Sequence, residues 1–257
     1  MQRIEAYCDA VPRSGAWVEE HGPLRLFVAD GVPWPYYARP AGDGAITADD
    51  VRAVRARQWE LGAPEAFEWI AELAPTLGPA ARAAGLAVRE VPLMALAQPL
   101  EAPPVAGVRV RALEPDDPAL AACQIVAQLA FGGASAGPAE RDAALADWPE
   151  HRLATVRERM AAGLTITVVA EDGGVLAVGS HQPVGAVTEV VGVGTLPSAR
   201  RRGLAAAVTA ALVADARRHG AELVFLSAGS DEVARMYARL GFERVGTAGL
   251  ADGPVSS

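Results

Sequence analysis

The apolar positions of this chain switch repeatedly between a period of two and a period near 3.6, and the switches divide it into short strands and amphipathic helices. Residues 1 to 45 read as irregular strands and turns. Leu24-Arg-Leu-Phe-Val28 is strand-like, Asp30-Gly31 is a turn signal, and the prolines of Val32-Pro-Trp-Pro-Tyr-Tyr37 force an extended path. A helix is predicted from Thr47, an N-cap residue followed by Asp49 and Asp50 at the positive helix end, with Val51, Val54 and Trp59 facing inward. Phe67-Glu-Trp-Ile70 follows, then a helical Ala80-Ala-Arg-Ala-Ala stopped by Gly85, then the strand-like Ala87-Val-Arg-Glu-Val91.

Pro99-Leu-Glu-Ala-Pro-Pro-Val-Ala-Gly107 has neither period and reads as a linker, with its core at residues 101–107. Beyond it Val108-Arg-Val-Arg-Ala-Leu113 alternates as a strand. Pro115-Asp-Asp-Pro118 opens a helix whose apolar face holds Leu120, Ile125, Leu129 and Phe131, and Gly132-Gly-Ala-Ser-Ala-Gly137 breaks it. A discontinuous helical region from 139 to 162 is interrupted by Trp148-Pro149. Leu164 to Ala170, the turn Glu171-Asp-Gly-Gly174 and Val175 to Gly179 form a hairpin leading to the strand Val187 to Leu196. An alanine-rich helix ending near His219, a strand Glu222 to Ser227, a helix around Tyr237 and a last strand complete the order β-α-α-β-β-β-α-β-α-β. This predicts an α/β (α+β) protein with a mixed, mostly antiparallel twisted sheet flanked by helices, in two domains, 1–100 and 108–257.

Composition narrows the partners. With 23 basic against 31 acidic residues the net charge is −8, which argues against an extended nucleic-acid surface. Every basic residue is arginine, and this bias carries no mechanism. Cys8 and Cys123 are far apart, lack metal-ligand spacing, and read as free thiols. No metal site is expected. No apolar run reaches membrane-spanning length and no leader pattern is present, so a soluble cytoplasmic protein is expected.

The chemistry concentrates in Pro197-Ser-Ala-Arg200-Arg201-Arg202-Gly203-Leu204-Ala205-Ala206. A strand that passes through a basic glycine loop into a helix leaves unpaired N–H groups and a positive dipole end at one spot. That spot suits a diphosphate. Arg200-x-x-Gly203-x-Ala205 resembles the acyl-CoA signature of the GCN5-related N-acetyltransferases (GNAT), and Ser230-Asp-Glu-Val-Ala-Arg-Met-Tyr237-Ala-Arg-Leu-Gly241-Phe242 resembles the family's second signature. The resemblance covers roughly residues 106 to 250. Ala81-Arg-Ala-Ala-Gly-Leu resembles Ala238-Arg-Leu-Gly-Phe in turn, which suggests that residues 1–100 are a degenerate GNAT-like half without the phosphate loop, and hence a tandem fold.

The resemblance implies acetyl transfer from acetyl-CoA to a primary amine of a small molecule or an N-terminus by direct attack. It implies that the backbone of Val193, Gly194 and Thr195 pairs with the pantetheine arm, that Arg201 to Ala206 donate N–H groups to the diphosphate, and that Tyr237 is the general acid. Gly192 and Gly194 also suit a strand bulge. Where the family has asparagine this chain has Ser230, which leaves that contact with the arm open. Glu189, eleven residues before Arg200, is a candidate general base, with another carboxylate or a water chain as the alternative. His181 could serve in proton transfer through its near-neutral pKa, but reads first as a loop or strand-end histidine, and His219 reads as a helix C-terminal one. A non-catalytic acyl-CoA-binding regulatory module is the rival reading. The expected partners are acetyl-CoA and an amine, with neither nucleic acid nor membrane; a homodimer stays open. A dinucleotide enzyme is disfavoured, because no strand–GxGxxG–helix unit occurs.

Overall fold

A computed structural model of the chain describes residues 1–30, 36–100, 102, 104–132 and 135–253, with the Glu150 side chain excluded. Gly31 and the expected extended run from Val32 to Pro35 lie outside these residues, as do Glu101 and Pro103 of the linker, Gly133 and Ala134 of the helix-breaking stretch, and residues 254–257. The chain forms two compact units. One comprises residues 1–95, 227–238 and 243–257, and the other residues 96–226 and 239–242. This division differs from one cut at the proline-rich linker, because the last helix and most of the last strand belong with the N-terminal residues.

The first unit opens with helix α1 (Gln2–Ala10), where the sequence reading expected only strands and turns. Strands β1 (Ala16–His21), β2 (Leu24–Ala29) and β3 (Ala38–Pro40) follow, then α2 (Ala48–Glu60), β4 (Ala66–Ile70), α3 (Leu77–Ala83) and β5 (Ala87–Leu96). Helix α8 (Asp231–Ala238) and strand β11 (Phe242–Asp252) complete it. The strand order is β1-β2-β3-β4-β11-β5, so the C-terminal strand is inserted between two N-terminal ones. It pairs antiparallel with β4 from Ala248↔Ile70 to Asp252↔Ala66.

Alternation along β2 and β3 assigns the faces of this sheet. Leu24, Leu26 and Ala38 pack with Val51 and Val54 of α2 and Leu77 of α3. Arg25 and Arg39 therefore point to the other face, where they meet Asp9 and Glu5 of α1. Thr47 caps α2 as expected, and Val51 and Val54 are buried. Trp59 is 79% exposed, which corrects its inward placement: the helix needs only a narrow apolar stripe, and Gln58 is buried instead, donating to Ala66 O at 3.0 Å.

The second unit contains β6 (Arg109–Ala112), α4 (Leu120–Phe131), α5 (Pro138–Ala146), α6 (Ala154–Ala161), β7 (Ile166–Glu171), β8 (Val175–Val184), β9 (Val187–Thr195), α7 (Leu204–Arg218) and β10 (Leu223–Ser227). Its strand order is β10-β9-β8-β7-β6; only β10 runs parallel to its neighbour. The break at Trp148-Pro149 falls between α5 and α6 as predicted. The opening Pro115–Pro118 forms turns and α4 begins only at Leu120. Buried Arg141 fixes the hairpin turn by donating to Val175 O at 2.8 Å and Gly173 O at 3.2 Å.

Two glycines let helices close on opposite faces of this sheet. A Cβ at Gly179 would lie 2.9 Å from Val208 Cγ1 of α7, and one at Gly194 would lie 2.8 Å from Ala130 Cβ of α4. Helix α7 covers one face and α4 the other.

Candidate functional site

Strand β9 carries the site. It pairs with β10 over only three positions, Leu223↔Val187, Val224↔Thr188 and Phe225↔Glu189. Beyond Glu189 the β9 backbone leaves β10, so its edge from Val190 to Thr195 is open to an extended ligand arm. On its other side β9 stays bonded to β8, from Val184↔Val187 to Ala177↔Thr195, with a bulge opposite Gly179. Gly192 stands at φ +62° inside that bulge, the left-handed conformation that glycine adopts without steric penalty. The expected bulge is therefore present, and Val193, Gly194 and Thr195 lie just beyond it. The Thr195 hydroxyl has no hydrogen-bond partner among the described residues.

A single 3-10 turn, Pro197–Ala199, takes the chain from β9 to the loop. Arg201 then adopts φ +63° and Gly203 φ +82°. Left-handed residues at this spacing turn successive N–H groups toward one concavity, a nest suited to an anion. Gly203 is also the N-cap of α7 and offers no side-chain oxygen, while Ala207 makes the first helix bond, to Gly203 O at 3.0 Å. The N–H groups of Leu204, Ala205 and Ala206 are left for a ligand, at the positive end of a fifteen-residue helix. No described side chain plugs this helix end.

The three arginines divide the work. Arg200 donates to Ala130 O at 2.9 Å and so ties the loop to the last turn of α4. Arg202 reaches the Asp172 carboxylate at 3.4 Å across the surface. Arg201 is exposed and carries the left-handed turn itself. Ser198 N donates to Ala136 O at 3.0 Å, which braces the loop a second time.

Glu189 sits on the last rung shared by β9 and β10, opposite Gln182 of β8. Alternation from Gly194 and Val178 puts Glu189 on the α4 face. Phe131, at the end of α4, is 68% exposed, so its predicted place on the buried helix face is corrected. It lies beside Gly194, whose added Cβ would be 3.5 Å from its ring.

On the α7 face the sequence reading missed a buried relay. His181 is not a loop residue: it lies within β8, 1% exposed. Its Nε2–H donates to Asp215 Oδ2 at 3.1 Å and its Nδ1 accepts from the Thr188 hydroxyl at 2.9 Å. Burial holds its pKa below the usual imidazole value, against the pull of Asp215. The relay fixes β8, β9 and α7 to one another. A histidine at an inward strand position, with an aspartate on the inner face of α7, was the available signal.

Tyr237 lies in α8 and Ser230 immediately before it, both in the other compact unit. Tyr237 is buried, and the Ser230 hydroxyl accepts from Val233 N at 3.2 Å, capping its own helix. Cys8 and Cys123 form no disulfide, and burial pushes the Cys123 thiol up to about 12, which leaves it a poor nucleophile. Among the described residues no cluster of three or more metal-ligating side chains occurs, and no helix is long and apolar enough to cross a membrane.

Residues 135–242 match the Acetyltransferase (GNAT) family. No curated protein sequence matches the chain. Among solved structures, a GCN5-related N-acetyltransferase from Kribbella flavida is 26% identical with a TM-score of 0.72, covering 99% of this chain and 95% of its own. One from Sphaerobacter thermophilus is 20% identical with a TM-score of 0.54, over 90% of this chain and 80% of its own. A tandem GNAT protein from the clavulanic acid biosynthesis pathway is 21% identical with a TM-score of 0.53, over 91% and 79%. These likenesses extend through the N-terminal half, which shares the GNAT-like fold.

Proposed function

Since residues 135–242 form a GNAT acetyltransferase domain within a tandem GNAT-like fold, we propose that the protein transfers an acetyl group from acetyl-CoA to a primary amine of a small molecule or an N-terminus. The observation that carries the reading is the parting of β9 from β10 after Glu189, on a strand that runs directly into an uncapped, glycine-led helix terminus. The free edge of Val193 to Thr195 fits an amide-bearing arm. The N–H groups of Leu204 to Ala206, inside the Arg200 to Arg202 field, fit a diphosphate.

In this reading the amine nitrogen attacks the thioester carbonyl, the carbon–sulfur bond breaks, and the amide and the free thiol leave. Glu189, at the apex of the parting, takes the proton from the attacking amine. Tyr237 returns one to the departing thiolate; this role rests on its place in the second signature. Arg200 positions the loop through Ala130.

The test is incubation of the full chain with acetyl-CoA and a panel of amines, reading free thiol. Amine-dependent thiol release is expected. Saturable acetyl-CoA binding without release across the panel supports the non-catalytic coenzyme-binding module, and absence of binding removes both readings.

A further inference from the structure

The buried chain Asp215–His181–Thr188 ends one residue from the proposed base. His181 of β8 stands opposite Val190 of β9, and Thr188, fully buried, is the residue before Glu189. Thr188 and Glu189 form the last two rungs that β9 shares with β10, with Val224 and Phe225. Successive side chains of a strand point to opposite faces, so Thr188 anchors β9 from the α7 side while Glu189 projects from the other.

What each group can do fixes where the protons lie. The Asp215 carboxylate only accepts: from His181 Nε2–H at 3.1 Å and from Arg218 Nη2 at 2.9 Å, with His219 Nδ1 3.2 Å away. A neutral imidazole that donates through Nε2 offers a lone pair at Nδ1, and the Thr188 hydroxyl donates to it at 2.9 Å. Beside His181 β7 brings Ile166, and beside Thr188 β10 brings Val224, so the charged groups facing the imidazole are Asp215 and His219 of α7. A second ring proton, on Nδ1, removes the acceptor of the Thr188 hydroxyl and reverses that bond. Apolar side chains at the three positions would join β8, β9 and α7 without burying an ionised carboxylate. The polar chain adds a direction, and the direction depends on one proton.

We propose that His181 and Thr188 are positioning residues for Glu189: the chain from Asp215 holds the last rungs of β9, and with them the Glu189 carboxylate, in place for the amine, and protonation of His181 lets those rungs shift. The role rests on the reading of Glu189 as the base.

The test is an NMR titration of the full chain, following histidine ring nitrogens and backbone amides, paired with thiol-release kinetics on an accepted amine. At about pH 7.5 wild-type His181 should carry its proton on Nε2 alone, and the Glu189 amide should titrate with the midpoint of the His181 ring. Thr188→Val keeps the shape and deletes the hydroxyl. The Glu189 amide should then stop following His181, and kcat should fall by about tenfold or more, with acetyl-CoA affinity within about threefold. Thr188→Ser, which returns the hydroxyl, should restore both. A wild-type Glu189 amide that ignores His181, one that follows it equally in Thr188→Val, an unchanged kcat in that variant, or equal losses in the valine and serine variants would overturn the proposal. Equal losses would mean that only packing matters. If Glu189→Gln turns over like the wild type, the base assignment fails instead, and the NMR midpoints with their loss in Thr188→Val decide alone whether the chain holds the rung.

Discussion

The starts of α7 and α2 show how the same chain segment can be open to an anion or closed to it. Each helix follows a sheet strand through a short glycine-containing loop. At α7 the cap is Gly203, the preceding residues are arginines, and the first N–H groups have no side-chain acceptor. At α2 the cap is Thr47, whose Oγ1 accepts from Asp50 N at 3.3 Å while the Asp50 carboxylate accepts from Thr47 N at 2.8 Å. Asp49 and Asp50 then place negative charge where a phosphate would lie. On the function proposed above, this local difference favours a coenzyme diphosphate at the start of α7 and disfavours one at the start of α2.

The second pair of segments differs by a phenol ring. Both α3 and α8 end at a left-handed glycine, Gly85 at φ +87° and Gly241 at φ +88°, before a strand. Tyr237 occupies the last turn of α8, while α3 has Ala80 and Ala81 there. The largest expected effect tests whether that phenol is chemical or structural. Tyr237→Phe keeps the ring and removes the proton donor, so turnover should fall by roughly 10²-fold or more, with acetyl-CoA affinity within about threefold, some 0.6 kcal/mol. Normal turnover with an accepted amine across the pH range would leave Tyr237 a packing residue.

Next in size is the cradle itself. Gly203→Val should weaken acetyl-CoA binding by at least about tenfold, or 1.4 kcal/mol, read by calorimetry. A branched residue disfavours φ +82°, and its Cβ would lie 3.7 Å from Val105. The melting temperature should fall as well, so affinity is measured where the variant is fully folded. One coenzyme per chain is the expected stoichiometry. Two would erase the contrast between the helix starts.

Much of this contrast was legible in the sequence, because caps and phosphate loops are written in consecutive residues. Arg200 to Ala206 and Thr47 to Asp50 needed no distant partner to be read. Helix α1 was not legible: only Ile4 and Tyr7 of its nine residues are buried, too few for a period, and its pairing to the sheet runs through Glu5 and Asp9. The insertion of β11 beside β4 was hidden for another reason. An alternating strand states which face is apolar but not which edge will take it. The exposure of Phe131 had the same origin, since the helix pattern does not show where the sheet beneath it ends.

A smaller effect is expected from opening the closed terminus. Asp50→Ala removes half of the capping box and should lower stability by about 1 kcal/mol, seen as an earlier urea midpoint, while acetyl-CoA affinity stays unchanged. A gain of a second coenzyme would mean that the aspartates alone silence this half. None is expected, because no residue from 38 to 50 has the left-handed backbone found at Arg201 and Gly203.

The smallest effect sharpens the comparison through pH, for the two units hold titrating groups of opposite sign, His181 buried and Glu68 half-buried. In the second unit His181 is held neutral, its pKa below 6.5 through burial. Its contribution to stability is present above 6.5 and is lost as pH falls through the folded value. In the first unit loss of solvent pushes the Glu68 carboxyl from 4.5 up to about 7, against the opposing pull of Arg39. A raised carboxyl works in the other direction: its contribution is complete below 4.5 and is lost as pH rises through about 7. Amide hydrogen exchange, corrected for intrinsic rates, should therefore show the amides of β2 and β4 losing protection from pH 5 toward about 8, and those of β8 and β9 losing it in acid. Glu68→Gln keeps the shape and removes the titration, so the alkaline slope of the first unit should flatten while the acid slope of the second is unchanged. If a carboxyl-resolved NMR titration finds Glu68 near 4.5, or if both units lose protection in the same direction, the opposition between the halves is confined to their helix starts.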